Sequence, residues 1–375
     1  MSEYQYYEFK AIDKHLSQED REEIGSWSSR TNPSSTSAAF TYHYSDFPQR
    51  ALAVVEKYFD AMFYISNWGV VRLIFKFPNH LINMKRLRPY CMNEEIRLHV
   101  KTDVTLLDIE LNNEDGGNWI EGEGWLDSLV TLREDILAGD LRCLYLFSIK
   151  NSIETALYDP DCIDLERIEP PVPANLKALN GALLDFAQLF EINQDILAVA
   201  AATSPSREEK SDDGYLNCLT HLSDTEKNEW LTRLLKNEPS LPILLKRRLK
   251  EFAGKKKEPV LIKGRTIGQL FRAVQEMKEN RRLEEKRKQE EKKLAKLTKT
   301  GQQEEVLWTR VDRLISEKKT KSYEEAIEIL KDLKELSIHR KQGNDFYSRV
   351  ELIRKKYSRL SGLQWRIKEA GLVRP

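Results

Sequence analysis

The sequence predicts an α+β fold: a mixed α/β layer with a ferredoxin-like start, then a mostly α-helical middle and a C-terminal helical module. Two observations predict it. Up to residue 111, apolar residues recur at period two in short runs separated by helical stretches, whereas from Trp125 onward they recur at the period of a helix. The acidic, glycine-rich segment NNEDGGNWIEGEGW marks the change.

In order, EYQYYEFKAID puts Tyr7, Phe9 and Ala11 on one face of a first strand. Ser17 opens a polar helix with acids in its first turn, where the macrodipole favours them. AAFTYHYSDF alternates Phe40, Tyr42 and Tyr44 against Thr41, His43 and Ser45 as a second strand. The run QRALAVVEKYFDAMFYISNW is apolar nearly all round, which predicts one buried helix ended by Gly69. VVRLIFKFP is a strand stopped by Pro78, and EIRLHVK and VTLLDIEL are two more.

Beyond the acidic segment, Trp125, Leu129, Leu132 and Ile136 share a helical face, as do Leu141, Leu144 and Tyr145 after Gly139. The break IEPPVP precedes two further helical runs, NLKALNGALLDFAQLF and QDILAVAAA, and the polar SPSREEKSDDG reads as a linker. Ser223 with Glu226 and Thr266 with Gln269 have capping-box spacing, the second opening a stretch of helical propensity to about Lys299. The latter half of that stretch has too few apolar anchors for a heptad seam and predicts an exposed helical arm. Three helices follow: one with Trp308, Val311, Leu314 and Ile315, one capped by Ser322 and Glu325, and one after Gly343. The implied divisions are an α+β domain at 1–150 containing the acidic loop 112–125, a helical domain at 151–255, a linker and charged arm at 256–301, and a tetratricopeptide-like module at 302–375.

The net charge of zero conceals a strong separation. Residues 241–375 hold 37 Lys+Arg against 20 Asp+Glu, while residues 91–240 hold 12 against 30. With 40% apolar and 32% charged residues the chain has enough to fold, and no apolar run approaches the ~20 residues of a membrane span. MSEYQYYEF lacks the basic and apolar regions of a signal peptide, so a cytoplasmic setting is expected. The four cysteines, Cys91, Cys143, Cys162 and Cys218, have no zinc-site spacing, and the six histidines form no HxxxH pair.

Within the acidic loop, placing Gly117 at the sixth position of an EF-hand leaves Gly116 where an oxygen ligand is needed. Glu114, Asp115, Glu121 and Glu123 therefore read as a solvated turn that would contact a basic partner. Tyr6 with Tyr42 or Tyr44 suggests a base-stacking platform, but the glycine-aromatic run of an RNA-recognition sheet is missing, and core packing explains these aromatics better.

YQYYEFKAIDKHLS, EKYFDAMFYISNWGVVRL, GDLRCLYLFSI and EPPVP followed by ALLDFAQLFEINQDILAVAA resemble a family of bacterial proteins without an assigned activity. WTRVDRLISEKKTKSYEEAIEILKDLKELS is similar to the helical tails of that family and of some bacterial SWIM zinc-finger proteins. The resemblance implies a bacterial cytoplasmic protein. The SWIM signature itself, a CxC with a later CxH, is absent, so zinc binding does not carry over.

These observations predict a non-catalytic adaptor or assembly subunit that binds another protein through its helical tail and charged arm. The alternative is an accessory nucleic-acid-binding protein using the basic third; an enzyme comes last, and no cofactor or metal is implied. Contacts to nucleic acid or to an acidic partner would come from Lys246, Arg247 and Arg248 in LKRRLK. Further contacts would come from Arg281, Arg282, Lys286, Arg287, Lys288, Lys292 and Lys293 in the arm.

Overall fold

A computed structural model describes residues 3–91, 93–113, 121–206, 217–236, 238, 240–252 and 264–374. The chain forms two compact units, residues 1–277 and 278–375. The first is built on a six-stranded antiparallel sheet of β1 (Gln5–Lys10), β2 (Ser37–Tyr42), β3 (Ala61–Ser66), β4 (Val70–Pro78), β5 (Ile96–Val100) and β6 (Val104–Asn112), in the order β2-β1-β3-β4-β6-β5. With the helices that follow, this is an α+β fold.

Two expectations about the sheet are corrected. The run predicted as a single helix divides: α2 (Ala51–Lys57) is helical, and β3 then forms the third strand from the β2 edge. All six β3 residues are buried, with Phe63 and Ile65 facing one core and Met62 and Tyr64 the other. A strand covered on both faces has no polar side to alternate, so it reads like a buried helix. Gly69, at φ 91°, turns the chain between β3 and β4 and does not end a helix. The ferredoxin-like start is not formed either, because β1 pairs antiparallel with both β2 and β3. The position beside β1 that a parallel partner would need is occupied by the strand that was read as helix.

One face of the sheet packs Phe9, Phe40, Met62, Ile74 and Leu106 against Ile24 of α1 (Gln18–Gly25) and Val54 and Val55 of α2. Ser17 caps α1 in a complete capping box with Asp20. The other face packs Phe63, Leu73, Phe75, Phe77, Leu107 and Ile109 with Leu87 of the short α3 (Met84–Leu87) and beneath α4 (Trp125–Leu129), α5 (Thr131–Ala138) and α6 (Arg142–Tyr158). This core does not stop at residue 150. It continues through α7 (Gly181–Leu189) and α8 (Gln194–Ala202), capped by Asn180 and Asn193, to Ile267, Leu270 and Val274. A smaller cluster of Cys218, Leu222 and Leu249 joins α9 (Asp224–Leu235) to α10 (Leu241–Phe252). The expected linker at 204–214 lies mostly outside the described residues.

Thr266 and Gln269 make the expected reciprocal cap of α11 (Ile267–Gln302). Residues 276–296 of this helix are exposed.

The second unit closes on α12 (Glu304–Ser316), α13 (Thr320–His339), α14 (Gly343–Lys356) and α15 (Ser361–Glu369). Their facing stripes bury Val311, Leu314, Ala326, Leu330, Phe346, Val350, Leu363 and Ile367. Ser322 and Glu325 do not cap α13, which already begins at Thr320 after a left-handed Lys318. The Ser322 hydroxyl instead donates to Glu317 at 2.6 Å, and Glu325 pairs with Arg310. The fourth helix, α15, was missed by the sequence reading.

Candidate functional site

Of the acidic loop, Glu114 and Asp115 lie outside the described residues, and Glu121 and Glu123 are exposed. Between the latter two, Gly122 is buried against β1: its N–H donates to Tyr4 Oη at 3.2 Å, and a Cβ there would lie 2.3 Å from the Tyr6 ring. The Trp125 indole donates back to the Glu121 carbonyl at 2.9 Å. This end of the loop is therefore a turn docked on the sheet, with its carboxylates facing water. Tyr6 and Tyr42 cannot form one stacking platform, since Tyr6 pairs with Thr41 and strand residues alternate between faces. Tyr6 is buried and Tyr44 is 82% exposed.

Tyr6 donates to the buried carboxyl of Glu8 at 3.3 Å. Burial raises the Glu8 pKa, with Glu123 adding to the rise and Lys10 and Tyr6 opposing it. A carboxyl whose pKa is raised on folding contributes its full stability only below the ordinary glutamate value of 4.5, and that contribution is lost as pH rises through the folded value. Glu8→Gln keeps an oxygen acceptor for Tyr6 and removes the buried charge, so at about pH 7 it is expected to raise the urea midpoint, with the gain vanishing near pH 4. A lower midpoint at neutral pH would show that the carboxylate form stabilises the fold.

The sequence reading missed a charged cluster on the part of the sheet face that α1 and α2 leave open. Arg72 grips Asp108 in a fork, Nε to Oδ1 at 2.7 Å and Nη2 to Oδ2 at 2.8 Å. Arg97 Nε and His99 Nε2 each approach Asp108 Oδ2 at 3.3 Å, and Arg97 also pairs with Glu110. Burial pushes the Asp108 carboxyl up, but the hydrogen bond and charge of Arg72, the charge of Arg97 and the hydrogen bond of His99 outweigh it and hold the group below the ordinary carboxylate range. The signal was present as Arg97 and His99 alternating on β5 and Asp108 and Glu110 on β6, yet only the β5–β6 register aligns them. Chemically the cluster is a neutralised brace, because the guanidinium groups of Arg72 and Arg97 face Asp108 and Glu110, and His99 makes no hydrogen bond to a hydroxyl or thiol among the described residues.

No group of three His, Cys, Asp or Glu side chains among the described residues is placed to hold a metal ion. The thiols of Cys91, Cys143 and Cys162 are held away from the reactive thiolate. Burial pushes Cys91 up to about 11 and Cys143 still higher, and the neighbouring Asp159 raises Cys162.

The expected phosphate contacts fall into two groups. In α10, Lys246 is exposed, but Arg247 turns inward and donates Nη2 to the carbonyls of Leu137, at 2.9 Å, and Leu81. It lines a cleft of about 550 Å³ with His80, Lys85 and Arg86. Arg247 and Arg86 meet carbonyls at the end of α5, where a helix attracts cations. Arg248 is engaged by Glu226 and Glu251 and lies over the Phe252 ring. These two arginines join α10 to its surroundings.

In the arm, Arg281, Arg282 and Arg287 pair along the helix with Glu285, Glu279 and Glu291. Lys286, Lys288, Lys292 and Lys293 are exposed, and among the described residues they have no ion-pair partner.

No family model matches the chain, and no curated protein or solved structure is found similar to it. No helix among the described residues is long and apolar enough to cross a membrane.

Proposed function

We propose that the protein is a non-catalytic adaptor or assembly subunit, with the charged arm and the C-terminal helical module as its binding surfaces. The observation that carries this reading is the arm: residues 276–296 form an uninterrupted helical stretch, exposed throughout, with four lysines lacking intramolecular partners among the described residues. A helix with so few apolar anchors gains little from burial, so an interaction surface gives its length a purpose. The charged cluster of the first unit supports the same reading, since its acids and bases neutralise one another. The bacterial cytoplasmic setting implied by the resemblance belongs to this proposal.

Affinity capture from nuclease-treated lysate tests it, comparing the native chain with a Lys286→Glu, Lys288→Glu, Lys292→Glu, Lys293→Glu variant. A near-stoichiometric protein partner held by the native chain and lost from the variant is the expected result. Identical recovery with both chains would remove the arm from the proposal, and turnover of a substrate by the purified protein would overturn it.

A further inference from the structure

The charges of the arm are sorted by face. At 100° per residue, eight of the nine lysines and arginines from Lys278 to Lys296 fall within an arc of about 160°, Arg287 alone lying opposite. Of the glutamates between Glu279 and Glu291, only Glu285 shares that arc; Glu279, Glu284, Glu290 and Glu291 occupy the other side. The exposed leucines Leu283 and Leu294 also lie on the acidic side, and residues 278–296 include no aromatic residue.

We infer that the basic face of helix 278–296 follows the phosphate backbone of duplex nucleic acid without sequence preference. This inference rests on the reading that the protein acts by binding through the arm. Of its eight cations Lys296 is held by Asp332 of α13; the other seven, Lys278 to Lys293, span about 22 Å of helix axis, a mean step of roughly 3.8 Å beside the ~3.4 Å between phosphates along one strand of a duplex. A face without aromatic side chains offers no platform for unstacked bases, which points to backbone contact rather than single-strand stacking. A helix that inserts into a bilayer needs a broad apolar face opposite its cations. Here that side bears glutamates and two isolated leucines. The glutamates repel phosphate from the far side and so orient the helix. Lys286, Lys288, Lys292 and Lys293, which have no ion-pair partner among the described residues, can contact phosphate without first breaking an ion pair there.

The test uses the full chain and a fluorescent DNA duplex of about 30 base pairs in random sequence, titrated between roughly 50 and 200 mM salt. Lys288→Glu and Arg287→Glu change the charge identically at adjacent positions on opposite faces. The expected result is a several-fold loss of affinity for Lys288→Glu and little change for Arg287→Glu, with both variants matching the native circular dichroism. The fourfold lysine variant should flatten the slope of log affinity against log salt by about 3 to 4.

Equal losses at both positions would overturn the face assignment, and absence of duplex binding at low salt would overturn the inference. If the duplex fails to bind but the fourfold variant still loses a protein partner, the inference falls and the adaptor reading stands. Binding to vesicles of anionic lipid with the same facial dependence and higher affinity would overturn it in favour of a membrane surface.

Discussion

Glu169→Ala is expected to lower the stability of the first unit by about 3–5 kcal/mol, the cost of leaving one member of a buried ion pair unmatched. The Glu169 side chain is 1% exposed and receives four hydrogen bonds: from the Arg265 backbone at 2.9 Å, from the Arg265 guanidinium at 2.9 and 3.0 Å, and from the Tyr145 phenol at 2.6 Å. Arg265 also donates to the Val199 carbonyl at 2.8 Å. One carboxylate thus joins α6, the end of α8 and the residue before the Thr266 cap of α11. The backbone reinforces the tie through the Ile168–Thr266 bridge and the Gly268 N–H bond to Leu165. Urea denaturation of the full chain reads the loss, and amide exchange at 266–270 should accelerate with it. A Glu169→Leu, Arg265→Met double variant should be less destabilised than either single change, because it leaves no charge unpaired. A Glu169→Ala midpoint equal to the native one would show that the pair contributes nothing net.

Arg133→Met is expected to cost about 1–3 kcal/mol, because it takes the guanidinium from Asp13, whose side chain is 15% exposed and keeps the Ser240 hydroxyl as a donor at 3.2 Å. Arg133 is 1% exposed; it forks onto both oxygens of Asp13, donates Nε to the Lys76 carbonyl at 2.9 Å and lies near the Phe77 ring. Lys76 in turn pairs with Asp60 at 3.2 Å, and Asp60 accepts from the Ile12 and Asp13 amides at 2.7 and 2.8 Å. The network joins the end of β1, the end of β4 and α5. Arg133→Lys is expected to recover less than half of the loss, since an ammonium cannot reproduce a planar fork aimed at a carboxylate and a carbonyl together. Full recovery by lysine would mean that charge alone matters there.

How much could be read in advance depended on how local each determinant is. Ser17 opened its helix as read, and the capping boxes at Ser223 and Thr266 formed as their spacing demands, because a cap needs only residues three apart. The exposed arm was legible from its shortage of apolar residues. Ser322 failed as a cap although its spacing was correct, since the preceding turn at Lys318 starts the helix earlier. β3 was illegible because an apolar run buried on both sides has no period, and its two covering layers come from residues distant in sequence. The site residues divide in the same way. Arm positions remained on the surface as read, but Arg247 was drawn to the carbonyls of Leu81 and Leu137 and Arg248 to Glu226, partners far off in sequence that adjacent residues do not announce.

Composition and spacings of a few residues were enough to specify the α+β class, the helical second half, the caps at Ser17, Ser223 and Thr266 and the separation of negative from positive charge. Tertiary structure alone decided the strand order, the cluster around Asp108, the buried pairs of Glu169 and Arg133, and which cations of the basic third remain on the surface. The physical reason is that hydrogen bonds and ion pairs between distant residues depend on register and docking, and a charge in the sequence carries no mark of whether water or a buried partner will neutralise it.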